Sequence, residues 1–563
     1  MDNSTTTSGS TKNFLIGCAL ITLIKLWLLA PQEIVARSAP HDDTLFVGLA
    51  LSILQGDWLG DYNQFTLMKG SGYPLFIAFS NVLNIPLIVS QELLYLGACL
   101  VFVLGMKRLN VRLAFLWVAF AVLAFNPFTY NFFPNVYPFR FEIYPAVSLL
   151  VFGLAQITFG RAVEGRTHWL LLLLLGVVLG WFWNIRGEAI WIAPTLGIFV
   201  LFYTIQHQYQ HLNRGIRKFA AVSVSFRASL IVVAGFLTIH SAIAYVNYQH
   251  YGVFITNGMK SPSFESAYGG LLRIRTDRWQ RFIPVNRDAR EIAYTVSPSF
   301  KQLEPYFESG RGTETWMKGF SDYPAAYFPW AFRDGLYHIG YFRDARRTHE
   351  FLSSIGAQID SACQSSKIDC RPRYSNLAPT WHAEWNLLAG QTLFKTLARM
   401  VKFKGFIGNG PRAGSIDDDK LVINYKYVTG SPVRPQRPDL LTRTPRFQTE
   451  KIRSRDKILR SIAWIYRRVP QVAFVFALGG LGLRVFQIAR GSRISIWDAL
   501  SFGLLAGLGS YAIILTIVQI TSYSEIGRQL NTTYPVILAF LLSVASAIIH
   551  SRSRSDARGK SNF

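Results

Sequence analysis

The stretch His41-Asp42-Asp43-Thr44-Leu45-Phe46-Val47-Gly48-Leu49-Ala50-Leu51-Ser52-Ile53-Leu54-Gln55-Gly56-Asp57-Trp58 follows directly on the first long apolar run, residues 14–30. From Thr44 to Leu54 the apolar residues surround most of a helix, yet these 11 residues are too few to cross a bilayer, which takes about 20. The spacing predicts a short helix lying at the membrane surface. Asp42 and Asp43 then stand at its N-terminal end, where the helix dipole favours negative charge. Two readings are open. One Asp is simply the N-cap and the pair is solvated. Alternatively one caps while the other faces a water-filled cavity as a base or cation ligand, since ionisable groups at a bilayer's edge are candidates for function.

Composition places this stretch in a membrane protein. Of 563 residues 50% are hydrophobic and 14% aromatic, and only 16% are charged, against roughly 25% in soluble domains; the mean hydropathy is +0.22. The formal net charge is +25. Lys and Arg gather in cytoplasmic loops and beside anionic headgroups, and no nucleic-acid motif accompanies the charge, so lipid bilayer and not nucleic acid is the expected partner. No Walker loop, dinucleotide fingerprint, HExxH or nucleophile elbow occurs, which argues against ATP hydrolysis.

Further apolar segments lie near 73–106, 113–126, 144–160, 169–185, 189–205, 228–246, 469–486, 500–519 and 533–550. The expected fold is mainly α, a polytopic membrane protein of about 10–12 transmembrane helices. The segment 73–106, with Pro86 and Glu92 inside it, reads as two helices, one of which is short, re-entrant or in-plane if the topology is to alternate. Basic connectors (Lys107, Arg108 and Arg112; Arg161 and Arg166; Arg214, Arg217, Lys218 and Arg227; Arg484, Arg490 and Arg493; the tail from Arg552) fit a cytoplasmic side. N- and C-termini are then cytoplasmic, in a bacterial inner or plasma membrane. The first helix is expected to stay uncleaved. Residues 31–72, 126–143, 186–188, 247–468 and 520–532 share the outer face.

Three regions follow: an N-terminal membrane module, 1–246, carrying the first outer loop 31–72; an extracytoplasmic insertion, 247–468, of mixed or helical structure; and C-terminal membrane helices with a basic tail, 469–563. Within the insertion Pro432, Pro435, Pro438 and Pro445 mark a loop. Cys363 and Cys370 bracket the polar CQSSKIDC and are expected to close a small disulfide loop in an oxidising compartment. Cys18 and Cys99 lie in apolar segments and read as packing residues.

Charged residues on the outer face are the candidates for chemistry. Lys69 precedes the breaker Gly70-Ser71-Gly72-Tyr73-Pro74; it is either a headgroup contact or, with an Asp of the same loop, part of a site that holds a phosphate and deprotonates a hydroxyl. Arg186-Gly187-Glu188 interrupts a strongly apolar stretch, so these charges must pair with each other or line a cavity. Arg140, Glu142 and Tyr73 are candidate cavity residues, and Arg528, before Tyr534-Pro535, faces a cavity or the headgroups. A divalent metal at His41, Asp42 and Asp43 is not indicated, because adjacent residues rarely converge on one ion; no cofactor is expected.

The first loop resembles the C-type (GT-C) integral-membrane glycosyltransferases, which include the bacterial aminoarabinose transferases and the protein O-mannosyltransferases. Their bacterial pattern is D-E-x-x-Y-x-x-x-A, then G-D-W, then a Lys before a Pro-led helix. Here Asp42-Asp43, Phe46, Ala50 and Gly56-Asp57-Trp58 match at the family's spacing over about forty residues. The family's Glu-Lys-Pro-Pro is replaced by Met68-Lys69-Gly70-Ser71-Gly72-Tyr73-Pro74. The resemblance implies a polyprenyl-phosphate sugar donor and a glycan, lipid or protein acceptor. Asp42 would act as general base with inversion, Asp43 as its cap or support, and Lys69, Arg528 and Arg186 would hold the departing phosphate. A lipid or polysaccharide transporter or flippase would show repeated halves and several mid-helix charges, of which Lys25 is the clearest here. A non-catalytic membrane assembly protein is the third reading.

Overall fold

The computed structural model describes residues 4–559 except 110, 131–136, 164–167, 213–218, 318, 373–376, 380, 404–414, 435–445, 493 and 523–525. Arg166, Arg214, Arg217, Lys218 and Arg493 of the basic connectors, and Pro435, Pro438 and Pro445, lie outside the described residues. In a bilayer the backbone must satisfy its own hydrogen bonds, so apolar runs become helices. Among the described residues seven helices are long and apolar enough to cross a membrane: Thr11–Leu29, Leu87–Arg108, Ala189–Gln206, Ser225–Tyr251, Ser454–Ala489, Ile496–Thr521 and Gln529–Ile549. Three shorter apolar helices, Leu113–Ala124, Tyr144–Gly160 and Trp169–Ile185, pack among them. The protein is a mainly α, multi-pass membrane protein.

The segment 73–106 divides into Gly72–Val82 and Leu87–Arg108. Asn84 between them takes a left-handed φ of 54°, and Pro86 occupies the N-cap position of the second helix. At 1.5 Å per residue the 11-residue first helix is about 16 Å long, short of the ~30 Å hydrocarbon core. Close packing elsewhere uses glycine. A Cβ on Gly176 would lie 2.2 Å from the Val232 carbonyl oxygen, and one on Gly235 would lie 2.5 Å from that of Leu173. The helices Trp169–Ile185 and Phe219–Tyr251 can therefore touch backbone to backbone, the route by which small residues join helices where lipid removes the hydrophobic drive.

The expected insertion 247–468 is helical in its described residues but is not one unit. Its start falls inside the helix Phe219–Tyr251. Residues from Phe264 to Ile359 build their own apolar core. Its principal pair is Pro262–Arg273 and Ala345–Gln364. In the latter helix Thr348, Phe351, Leu352, Ile355, Ile359 and Ala362 are buried, the i, i+3, i+4, i+7 stripe of an amphipathic helix, and Asp344 caps it by accepting from the Arg347 N–H at 3.1 Å. Burying each large aliphatic side chain stabilises this pair by roughly 2 kcal/mol. Cys363 and Cys370 are disulfide-bonded at its C-terminal end. The later helices Trp385–Val401, Asp419–Thr429 and Arg446–Tyr466 instead contribute Met400, Tyr425, Val428, Leu459 and Ala463 to the core of the membrane helices.

Candidate active site

The first loop is held from both directions. Its early part pairs with a segment 400 residues later: Ile34 and Val433 form a parallel bridge, and Ile34 N–H donates to Pro432 O at 2.8 Å while Arg434 N–H donates to Ile34 O at 2.8 Å. Tyr425 Oη donates to Arg37 O at 3.2 Å, as does Thr44 Oγ1 at 2.7 Å. The helix Asp43–Leu54 begins where the sequence places it, with Asp42 at the N-cap position but no side-chain capping hydrogen bond.

The two carboxylates separate in role. Asp43 is fully buried, and its Oδ2 accepts from Arg37 Nε at 2.7 Å. Burial pushes its carboxyl above the usual range, while Arg37 opposes the shift. Asp42, with 37% of its side chain exposed, accepts from Lys69 Nζ at 2.6 Å. Lys69 is only 7% exposed and donates also to the His41 carbonyl oxygen. Burial lowers its ammonium to about 8, Arg140 adds to the depression, and Asp42 offsets part of it. The turn that delivers Lys69 lies flush on the end of the helix Trp169–Ile185. A Cβ on Gly70 would stand 1.9 Å from the Asn184 carbonyl oxygen, and Trp181 Nε1 donates to Gly72 O at 3.0 Å. This backbone contact leaves no room for a side chain at Gly70.

The arginines are seated on a row of rings. Tyr137, Phe139 and Phe141 each carry one: Arg37 at 4.2 Å, Arg528 at 5.6 Å and Arg186 at 3.7 Å from the ring centroids. Arg140, inside the row, stands 5.9 Å from the Phe46 ring, over which Lys69 also lies at 5.2 Å. Phe46 and Phe139 meet edge to face at 6.1 Å, so Arg528 is two rings away from Lys69. Cation–π contacts of this kind contribute about 1 kcal/mol each, more when desolvated. Arg186 pairs with Glu188. Burial pushes the Glu188 carboxyl up, but Arg186 and Arg140 hold it below its ordinary value. The Arg140 guanidinium is lowered to about 10 by burial and by Arg186.

Behind the Lys69-Gly70 turn lies a cavity of about 420 Å³, walled by Gly70, Trp183, Arg186, His240, Lys260 and Glu265 among others. Arg186 Nε and Nη1 are buried without hydrogen-bond partners. Lys69, Asp42 and Arg528 are not among its walls; Asp42 and Lys69 touch each other directly, and Arg528 is linked to them only through the Phe139 and Phe46 rings. Two further expectations change. Tyr73 is fully buried and accepts from Gln91 Nε2 at 2.8 Å. Glu142 lines a separate small cavity together with Glu92. Neither lines the Lys69–Arg186 region.

Four residues in or beside the helical domain join the site without any motif to announce them. Trp330 lies 5.3 Å from Lys69 Nζ and 4.8 Å from the His41 ring, and His41 also packs on Phe65 and Trp316 at 5.1 Å each. Arg333 donates to Gln64 O and Thr66 O at 3.0 Å each, pinning the segment before Lys69. Lys260 Nζ donates to Gly187 O at 2.5 Å. Among the described residues no three His, Cys, Asp or Glu side chains meet in a group that could hold a metal ion.

A partly solvated carboxylate, an ammonium held near its deprotonation range, the buried Arg186 guanidinium and the half-buried one of Arg140 form an arrangement that can accept a proton and stabilise a multivalent oxyanion. No family model and no curated protein matches this chain. Two solved structures are similar to it, those of ArnT from Cupriavidus metallidurans in the apo state and bound to undecaprenyl phosphate. They align over 92% and 91% of this chain and 78% of theirs, with 12% identity in both cases and TM-scores of 0.28 and 0.27.

Proposed function

We propose that this protein is a membrane glycosyltransferase of the GT-C kind, moving a sugar from a polyprenyl-phosphate donor to an acceptor hydroxyl on the outer face of the membrane. The observation that carries the reading is the Asp42–Lys69 pair, a half-exposed carboxylate bound to a buried ammonium beside Arg140 and Arg186. The donor phosphate sits against Lys69, Arg140 and Arg186, with Lys260 at the far wall of the adjoining cavity. It competes for the Lys69 ammonium and so frees Asp42 to act as a base. Asp42 then accepts the acceptor's hydroxyl proton, the hydroxyl oxygen bonds to the anomeric carbon, and the bond from that carbon to the phosphate oxygen breaks with its electrons passing to the phosphate. Base and cations each contribute roughly 2–5 kcal/mol to such a step.

Asp43 serves as a positioning residue through Arg37, and Arg528 steadies the ring row from Phe139. A transporter or flippase has less support, because the mid-helix Lys25 is neutralised by Glu92 whereas Asp42, Lys69, Arg140 and Arg186 gather outside the membrane-spanning helices. The test is incubation of the purified protein with radiolabelled polyprenyl-phosphate sugars. Release or transfer of label supports the reading. Donor left intact by wild type, across pentose and hexose donors with and without added envelope acceptors, contradicts it.

A further inference from the structure

Beside Glu142, which follows the last ring of the row in the chain, three buried polar side chains line one small space of about 20 Å³. Gln32 is 7% exposed, Glu92 5% and Glu142 6%. Each presents an atom without a hydrogen-bond partner: Gln32 Nε2, Glu92 Oε1 and Glu142 Oε1. Unpartnered buried polar atoms are costly, by about 1–3 kcal/mol each, and three aimed at one space point to a guest that the protein chain does not supply. The volume matches one water molecule, which needs about 10–15 Å³ and two to four polar partners.

Charge narrows the guest further. Lys25 is wholly buried and lies 3.7 Å from Glu92 Oε1. Its ammonium donates to Thr129 Oγ1 at 2.6 Å and Ala124 O at 3.0 Å. Lys25 therefore balances Glu92 and has no capacity left for Glu142. The other titratable groups facing the space or Glu142 are Tyr73 and Tyr95, which are neutral phenols whose hydroxyls are engaged with Gln91 and with Leu123 O. One lysine against two glutamates leaves a net charge of −1 among apolar helices, an expensive arrangement.

We propose that this space binds one water molecule and one proton, the proton carried by Glu142. The water accepts from Gln32 Nε2 and from the Glu142 carboxylic acid and donates to Glu92, so every orphaned atom gains a partner and the cluster becomes neutral. Glu142 lies next to Phe141 in the row that seats Arg37, Arg528 and Arg186, so the bound proton keeps that row docked. The inference holds whatever the protein transfers.

Infrared spectroscopy of the full-length protein in nanodiscs at neutral pH tests it. Wild type is expected to show the carbonyl stretch of a protonated carboxylic acid, shifted by carbon-13 glutamate labelling and absent in Glu142→Gln. Lys25→Met is expected to add a second such band as Glu92 loses its counter-charge. The labelling experiment needs no variant, so a folding failure of Glu142→Gln leaves the test intact. A spectrum without a glutamate-derived carboxylic acid band overturns the proposal. So does a band that appears only when sodium is replaced by N-methylglucamine, because the guest is then an alkali cation and not a proton.

Discussion

Asp42 and Asp43 adjoin in the chain and differ in every physical respect that matters to catalysis. Asp43 is sealed against Arg37, whereas Asp42 keeps one face in water and one on Lys69. Asp42→Asn is expected to abolish transfer while the protein still inserts and elutes as a single species, a contrast read by label transfer beside size-exclusion profiles. Asp43→Asn should instead lower stability by about 2 kcal/mol, the scale of a lost hydrogen bond to a charged group, with a lower melting temperature as the readout. Lys69 sets the pH profile. Its ammonium, lowered to about 8 by burial, loses its charge as pH rises through that value, so the KM for the donor should climb above about pH 8. Stability moves the other way: between about 8 and the ordinary lysine value of 10.5 the unfolded chain binds more protons than the folded one, so folding becomes more favourable with rising pH in that window. A KM flat from pH 7 to 9.5 would count against Lys69 as the phosphate ligand. Both aspartates and Lys69 could be named from the sequence because their spacing follows the helix they precede; their division of labour could not, because it depends on Arg37 and on burial.

At the scale of elements, the altered lysine motif acquires a reason. Gly70 and Gly72 lie against the backbone of Asn184, and the turn they make there presents Lys69 to Asp42. Gly70→Ala is expected to push the turn off the helix end, at a cost of about 1–3 kcal/mol and at least a tenfold loss of transfer. Restoring activity by raising the donor concentration would show that only Lys69's placement had changed. The short helix Asp43–Leu54 and the break before Leu87 were readable from length and from Pro86. Residues 137–143 were not, since alternate aromatic residues outside a strand carry no periodic signal and their meaning lies in arginines drawn from distant parts of the chain.

Across the whole molecule, the multi-pass helical architecture was written in hydropathy, while the division of the long polar region was not. Residues near 264–359 form a domain with its own core, and the helices Trp385–Val401, Asp419–Thr429 and Arg446–Tyr466 return side chains to the core of the membrane helices. The segment 415–434 braces the first loop across nearly 400 positions, a pairing invisible to any local pattern. Arg333 is the domain's grip on that loop. Arg333→Met should leave the domain folded but loosen residues 64–69, seen as faster amide exchange there and a raised KM. The measurement bearing most directly on the central claim is single-turnover transfer from a radiolabelled polyprenyl-phosphate sugar by wild type and Asp42→Asn, each at matched donor occupancy. Label is expected to leave the donor in wild type and the rate to fall at least a hundredfold in the variant with donor binding retained. Equal rates in the two proteins would contradict that claim.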